Sequence, residues 1–556
     1  MPTILNPVEK LLEQAATRGT RPFLHQPLRE SWRTYSWAEV ADGARRIATA
    51  LIALGLPKGS RVAIAGINTA HWFMADFACG LAGMVSVGLY PHQAPEHTRF
   101  ILHDSSAKAL ILGPLPDADK FLAAVPTDVV RIATPYVEVP KPLCQHQWDE
   151  LVATHEPIAA PVPRNVDELW SLIYTSGTTG KPKGVMVTAA NLGFVASGLL
   201  RYLPSRGAEA FLSYLPLAHS FERAAIELSS LYLDAEVYFL ASLEQLGETL
   251  RLVRPTRFFS VPLVWTRMQR EILLKLPQAK LDRLLGIPLV ATLIRHRIRR
   301  ALGLDRCWCI ISGAAPLSLE TMRWFSRLGI EICQGYGMTE NGIYCSTNLP
   351  GANRPGSVGR PFPDSEVKIV AGENSEGEIL NRHDGITPGY FNNPGKTAEL
   401  FTQDGWLKTG DIGRLDADGY LWITGRAKEI FKTAKGKYVA PAPIESALAA
   451  AGGIDYLCLT GAELTQPIML AVLDAQERRQ SHAAVKTRLA EAMAEVNAGL
   501  EPHERIARII LVKDDWSIDN GLLTPTLKVK RAAVEQRYRA LLEKENRDPE
   551  PVVWEP

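Results

Sequence analysis

Between Tyr174 and Gly184 the chain reads YTSGTTGKPKG, which places three glycines, two lysines and four serine or threonine hydroxyls within eleven residues. Gly177, Gly180 and Gly184 let the backbone turn and approach a ligand without a Cβ in the way. Successive backbone N–H groups, with the Ser176, Thr178 and Thr179 hydroxyls, can cradle phosphate oxygens. Lys181 and Lys183 add positive charge, and Pro182 stiffens the segment. The spacing is not that of the common G-x-x-x-x-G-K-[ST] loop, because Lys181 is followed by Pro182. The loop therefore points to nucleotide chemistry of another kind.

Such a loop needs a rigid element before it. LWSLIYT supplies one, an apolar strand ending in hydroxyl residues. Strand-like runs alternate with helical spacing upstream. RVAIAGI (61–67) reads as a buried strand, HWFMADFACGLAG as a helix and KALILG (108–113) as a strand again. This alternation predicts α/β architecture, with mixed or parallel sheets covered by helices in a large multi-lobed N-terminal domain. After YLWITGR (420–426) the units shorten. PIESALAAAG, HAAVKTRLAEAMAEVNAGL and KRAAVEQRYRALLEKE read as helices, and YLCLTG, IMLAVLD and ARIILV as strands. The spacing predicts a small α+β domain over 425–556 behind a large one over 1–424. The tail NRDPEPVVWEP, with three prolines, is expected to fray.

Composition sets limits. The chain has 556 residues, 46% of them apolar, and 61 Lys and Arg against 60 Asp and Glu. That balance gives no reason to expect nucleic acid as a partner. The seven cysteines are scattered without metal or redox spacing, and read as buried reduced thiols in a cytoplasmic setting. The longest apolar run, 77–90, falls short of the ~20 residues a spanning helix needs and reads as a buried helix followed by a strand. Arg295, Arg297, Arg299 and Arg300 make one block strongly basic. The commoner reading of such a block is a solvated helix face, and the other is a surface that meets anionic lipid or a phosphorylated ligand.

YTSGTTGKPKGV resembles the phosphate loop of the adenylate-forming (AMP-binding) superfamily of acyl-CoA synthetases, peptide-synthetase adenylation domains and luciferases. Further motifs follow in that family's order. They are LPLAHSFER (215–223), ISGAAPLS (311–318), QGYGMTE (334–340), GWLKTGD (405–411) and GRAKEIFKTAKGKYVAP (425–441). The wording is closest to the long-chain fatty acyl-CoA synthetase branch. The resemblance implies an AMP-forming acid–thiol ligase that uses ATP and Mg²⁺, with CoA as co-substrate. It implies that Ser176, Gly177, Thr178, Thr179, Gly180, Lys181 and Lys183 hold phosphates, and that Glu340 and Thr175 are metal ligands, Thr178 being the rival hydroxyl. Gly313, Ala314 and Ala315, with Gln334, Gly335, Tyr336, Gly337 and Thr339, form the nucleotide-side wall, Tyr336 stacking on adenine. Asp411 accepts hydrogen bonds from ribose, and Arg426 contacts ribose or phosphate. His219 positions the substrate carboxylate. The small domain is expected to swing about Lys428. One orientation brings a catalytic lysine to the α-phosphate, and the other presents Gly436 beside a thiol tunnel. Lys528 aligns best as that lysine and Lys530 is its rival, because Leu527 replaces the family's usual glycine.

The chemistry accounts for the residue types. A carboxylate is a poor acyl donor until its oxygen is joined to the α-phosphorus of ATP, which expels pyrophosphate. A thiol then displaces AMP. Both steps spread negative charge over phosphate oxygens, which placed cations and donors stabilise. Acceptors weighed are CoA and a carrier-protein pantetheine. A non-catalytic nucleotide-binding or membrane-surface scaffold is the reading of another class, and the retained Lys181, Glu340, Asp411 and Arg426 speak against it.

Overall fold

The computed structural model describes residues 6–29, 31–137, 143–175, 181–371, 376–462, 464–524, 526–545 and 550–556. Its largest sheet has seven strands. In spatial order these are His146–Gln147, Val130–Ala133, Ala109–Leu112, Arg61–Ala65, Val85–Leu89, Leu169–Thr175 and Lys183–Thr188. All pairs are parallel except the last, where Thr175 lies opposite Lys183. The central strands are buried on both faces, hence their continuous Val, Ile, Ala and Leu runs. Helix Ala70–Leu81 is buried all round, packed between sheets. The run 77–90 is thus the end of that helix followed by strand Val85–Leu89.

A second sheet carries the parallel strands Arg257–Ser260, Cys309–Ser312 and Cys333–Tyr336, continued by two short antiparallel strands. A third joins Ala210–Ser213 and Glu236–Phe239 to the N-terminal hairpin Pro22–Pro27 and Trp32–Ser36. A fourth, fully antiparallel sheet ends in Leu407–Leu415 and Leu421–Arg426. Residues beyond it build their own core on both faces of the sheet Ile454–Thr460, Ile468–Leu473, Arg508–Leu511 and Val552–Trp554. Helices Pro441–Ala449, His482–Ala498 and Arg531–Glu545 cover it.

The tail does not fray as expected. Val552 and Val553 are buried, and Val552–Trp554 adds a parallel edge strand to Arg508–Leu511. Trp554 stacks on His482 with ring centroids 4.0 Å apart. Two β-branched residues and an aromatic outweigh the flanking prolines, which lie outside the paired residues. All seven cysteines are free and buried. Among the described residues no helix is long and apolar enough to cross a membrane.

Candidate active site

One cavity of about 1570 Å³ opens between the large sheets and the C-terminal unit. The strand Leu169–Thr175 delivers Thr175, half-buried, to its wall, and Lys181 and Lys183 leave the loop into it. Ser176, Gly177, Thr178, Thr179 and Gly180 lie outside the described residues. The Lys183 ammonium stands 4.7 Å from the Tyr390 ring centroid, and the Lys181 ammonium 5.5 Å from that of Phe100. Burial lowers the Lys183 ammonium below the usual lysine range, and the nearby Glu340 opposes the shift.

Glu340 sits on the 3₁₀ turn Thr339–Asn341, largely buried. Tyr390 donates to its Oε1 at 2.7 Å, which leaves the other oxygen free to bind a cation. Thr339 Oγ1 shares a 2.9 Å hydrogen bond with Ser220, tying this turn to the loop that carries His219. A Cβ on Gly337 would fall 2.5 Å from the Ile343 backbone, so only glycine permits the turn to close here. Among the described residues no three His, Cys, Asp or Glu side chains cluster around a metal position. A Mg²⁺ beside Glu340 would therefore draw most of its oxygen ligands from phosphates and water, which is its usual habit.

Asp411 and Arg426 are registered opposite each other on neighbouring strands, with Nε 3.2 Å from Oδ1. Tyr336 donates to the other Asp411 oxygen at 2.6 Å. Burial raises the Asp411 carboxyl, with Arg426 and the Tyr336 hydroxyl pulling the other way. Each carboxylate oxygen keeps a second lone pair for a ligand hydroxyl. Gly313, Ala314, Ala315, Gln334, Gly335 and Tyr336 line the adjoining wall. Ala314 adopts a left-handed φ of 67°, which turns the loop and leaves Ala314 and Ala315 open to the cavity.

His219 caps the short helix Ser220–Glu222, its Nδ1 accepting from Phe221 N at 3.1 Å. The proton of the neutral ring is thereby assigned to Nε2. Burial, reinforced by the nearby Lys528 ammonium, pushes His219 down to about 3, so the ring is neutral at ordinary pH. It can donate a hydrogen bond to a carboxylate but has no need to accept a proton. Its loop is held from beneath by Glu222. The Glu222 Oε1 accepts from Ser213 Oγ at 2.7 Å, Tyr214 N at 3.0 Å and Asn68 Nδ2 at 3.3 Å.

The C-terminal unit contributes Lys528. Its ammonium interacts with His219, Arg426, Asp411 and Glu429, whereas the Lys530 side chain is absent from the cavity wall and lies toward His97. Lys528 is open to the water of the cleft and yet crowded by protein. That crowding, and Arg426 next, hold its ammonium below the usual lysine range, with Asp411 and Glu429 opposing. A tight turn presents it, in which Thr524 N donates to Lys528 O at 2.8 Å and Lys528 N to Thr524 Oγ1 at 3.0 Å. Leu527, in this turn, has φ 58°. This is the left-handed conformation a glycine would take there without strain, and leucine bears a cost of about 1–2 kcal/mol.

Gly436 is not brought to the cavity. It lies in the hairpin of strands Phe431–Lys432 and Tyr438–Val439, at φ 76°, with Tyr438 exposed. Lys428 lines the cavity near Lys183. Three contributors escaped the sequence reading. Ser220 lies within LPLAHSFER, Tyr390 within GYFNNP (389–394) and Thr524 within LLTPTLKVKR (522–531), stretches that resemble the same family's motifs, but a lone Tyr, Ser or Thr carries no spacing signal of its own.

Residues 11–391 match the AMP-binding enzyme family, and residues 428–547 match the AMP-binding enzyme C-terminal domain. The long-chain-fatty-acid–CoA ligase FadD15 of Mycobacterium bovis is 30% identical, over 92% of this chain and 92% of its own length. The long-chain-fatty-acid–CoA ligase ACSBG2 of Gallus gallus is 29% identical, over 92% of this chain and 77% of its own length. In fold the chain is similar to the adenylation domain of a carboxylate reductase from Mycobacterium chelonae (TM-score 0.82, 24% identity, 99% and 92% coverage). It is also similar to an anthranilate CoA ligase in complex with anthranoyl-AMP (TM-score 0.80, 22% identity, 98% and 99% coverage). With both domains matched over most of its length, the chain belongs to the AMP-binding enzyme family, the adenylate-forming superfamily whose motif order it keeps.

Proposed function

We propose that this chain is an ATP-dependent acyl-CoA ligase for medium- to long-chain fatty acids. The observation that carries the reading is the convergence of Lys528, His219 and the Asp411–Arg426 pair on one cavity that also has an apolar arm. In the first step a fatty carboxylate oxygen attacks the α-phosphorus of ATP. The bond to the β-phosphate oxygen breaks, and pyrophosphate leaves. Lys528 offsets the charge at the α-phosphate, and Lys181 and Lys183 that of the leaving pyrophosphate. Glu340, with Thr175, would hold Mg²⁺, which would offset charge on the leaving phosphates. Asp411 takes the ribose hydroxyls, Arg426 the ribose or phosphate, and His219 orients the acid. In the second step the CoA thiol attacks the acyl carbon, AMP leaves, and the thiol proton passes to solvent.

The apolar arm supports a fatty chain. Ala196, Leu199 and Leu200 of helix Ala189–Tyr202, with Leu203 directly after its end, form one stripe along the cavity, which Leu228, Tyr232 and Leu233 also line. The buried Arg257–Glu209 pair, 2.9 Å apart, stands beyond Leu203 as a floor. From Ala196 to Leu203 the helix rises about 10 Å, room for roughly eight methylenes beside it and an optimum acid of about ten to twelve carbons. The large unit is 1–424 and the small one 425–556, pivoting near Lys428. The orientation described, with Lys528 inward and Gly436 outward, corresponds to adenylation.

A panel of acids from six to eighteen carbons, incubated with ATP and Mg²⁺, with and without CoA, tests this. AMP, pyrophosphate and acyl-CoA are expected in equal amounts. Acyl-AMP that never passes to CoA but does pass to a carrier-protein pantetheine would favour the carrier-protein alternative. An optimum at sixteen carbons or more would contradict the Arg257 floor while leaving the adenylation intact.

A further inference from the structure

The helices Pro262–Lys275, Gln278–Leu285 and Pro288–Ala301 take no part in the cavity, and their outer surface has an unusual make-up. Leu289 is 88% exposed, and Ile287, Leu293 and Leu274 are each half exposed or more. Isolated surface leucines need no explanation, but Ile287, Leu289 and Leu293 follow one another across the N-terminal end of helix Pro288–Ala301, where residues 286–289 are all exposed. The surrounding charge is of one sign. Residues 274–302 hold Lys275, Lys280, Arg283, Arg295, Arg297, Arg299 and Arg300 against the single acid Asp282, seven against one, a net +6. Asp282 is itself paired with Arg327. Arg283 and Arg297 are exposed and form no ion pair among the described residues.

The order along the helix matters. Leu289, Leu293, Arg297 and Arg300 are four, four and three residues apart, so they fall on one stripe. All four are exposed. The stripe is apolar at the N-terminal end of the helix and basic toward its C-terminal end. A soluble ligand needs no such axial sorting. A bilayer surface does, because acyl chains and anionic headgroups lie at different depths. We infer that the tip Ile287–Leu293 inserts into the interface of an anionic membrane, with Arg283, Arg297 and Arg300 at the level of the lipid phosphates. The inference does not rest on the proposed activity.

The test is cosedimentation of the full chain with vesicles of phosphatidylcholine alone, and with phosphatidylglycerol added. Wild type is expected to pellet with the mixed vesicles and far less with phosphatidylcholine alone, with binding falling as salt rises. The triple variant Ile287→Ser, Leu289→Ser, Leu293→Ser is expected to bind at least about tenfold more weakly. Arg283→Glu with Arg297→Glu should abolish the preference for phosphatidylglycerol. Both variants should keep wild-type adenylation of a short soluble acid, which shows that they are folded. Wild type remaining in the supernatant with both vesicle types, or the triple variant binding like wild type, would overturn the inference. So would a wild-type dimer in light scattering that the triple variant dissolves, which would make this face a contact between copies of the chain.

Discussion

Tyr390 donates its hydroxyl hydrogen to Glu340 Oε1 at 2.7 Å, and the Lys183 ammonium lies over its ring. The bond fixes which carboxylate oxygen faces the cavity, and it fixes it before any cation arrives. Tyr390→Phe keeps the ring and the lysine contact but frees the carboxylate to rotate. The apparent Mg²⁺ requirement of adenylation should rise about tenfold, with the rate at saturating Mg²⁺ little changed. A Mg²⁺ titration of pyrophosphate release reads this directly, and an unshifted midpoint would remove Tyr390 from the metal's surroundings.

The two lysines near the C-terminus separate by position. Lys528 meets His219, Asp411 and Arg426, whereas Lys530 lies toward His97. Lys528→Ala should slow adenylation about 10²–10³-fold yet retain thioester formation from supplied acyl-AMP. Lys530→Ala should stay near wild type in both. The reverse pattern would move the role to Lys530.

The pH dependence has a definite sign. In the proposed reaction Lys528 serves as a cation, and its ammonium is held below the usual lysine range. Its charge is therefore lost at lower pH than an ordinary lysine's, and kcat/KM for ATP should fall as pH rises through that shifted value. Lys528→Arg should extend the plateau to higher pH. His219 sits at about 3 when folded against about 6.5 unfolded, so it contributes no ascending limb near neutrality. It does cost stability. Between those values the unfolded chain binds a proton that the folded chain does not, so stability falls as pH drops from about 6.5 toward 3. Burial depresses His71, to about 3, and His383, to about 4, and both add to the same slope. The buried carboxyls Glu222, pushed up to about 8, and Glu227, pushed well up, work the other way over the same range, because there the folded chain holds protons that the unfolded chain lacks. The rings are therefore read one by one: an NMR titration of the folded chain should show none of the three imidazoles protonating between pH 7 and 5, and protonation near 6.5 would mean that the ring is not neutral inside.

How much of this was readable in advance depended on whether the signal was local. Strands Arg61–Ala65 and Ala109–Leu112 and helix Ala70–Leu81 follow from apolar periodicity alone, because buried central strands and helices carry it undiluted. Lys181, Glu340 and Asp411 were legible because their motifs are contiguous. Tyr390 was not, since its partner is fifty residues away and only folding joins them. The order of the tail is not local information, because the burial of Val552 and Val553 depends on a strand edge more than forty residues upstream. The conformation at Leu527 was not readable either, because side-chain type argues against a left-handed φ that the Thr524–Lys528 turn imposes.

The small unit is held in its observed orientation by ion pairs from helix Pro262–Lys275. Arg270 pairs with Asp474, and Arg267 lies 3.5 Å from Asp455. A swing about Lys428 must break them. Arg270→Glu should slow adenylation about five- to tenfold, as loss of a partly buried pair of about 1 kcal/mol would. It should leave the thioester half-reaction unharmed, and Asp474→Arg in the same chain should restore the rate. Equal slowing of both half-reactions would show that these pairs do not select an orientation.

Adenylation here requires that an organic acid be joined to the α-phosphoryl group of ATP in this cavity. Isotope exchange between pyrophosphate and ATP, run with Mg²⁺ and without any thiol, tests it most directly. Exchange that requires a fatty acid, and that Lys528→Ala slows about 10²–10³-fold, is the predicted result. No exchange with any acid from six to eighteen carbons, in protein that is folded and binds ATP, would contradict it.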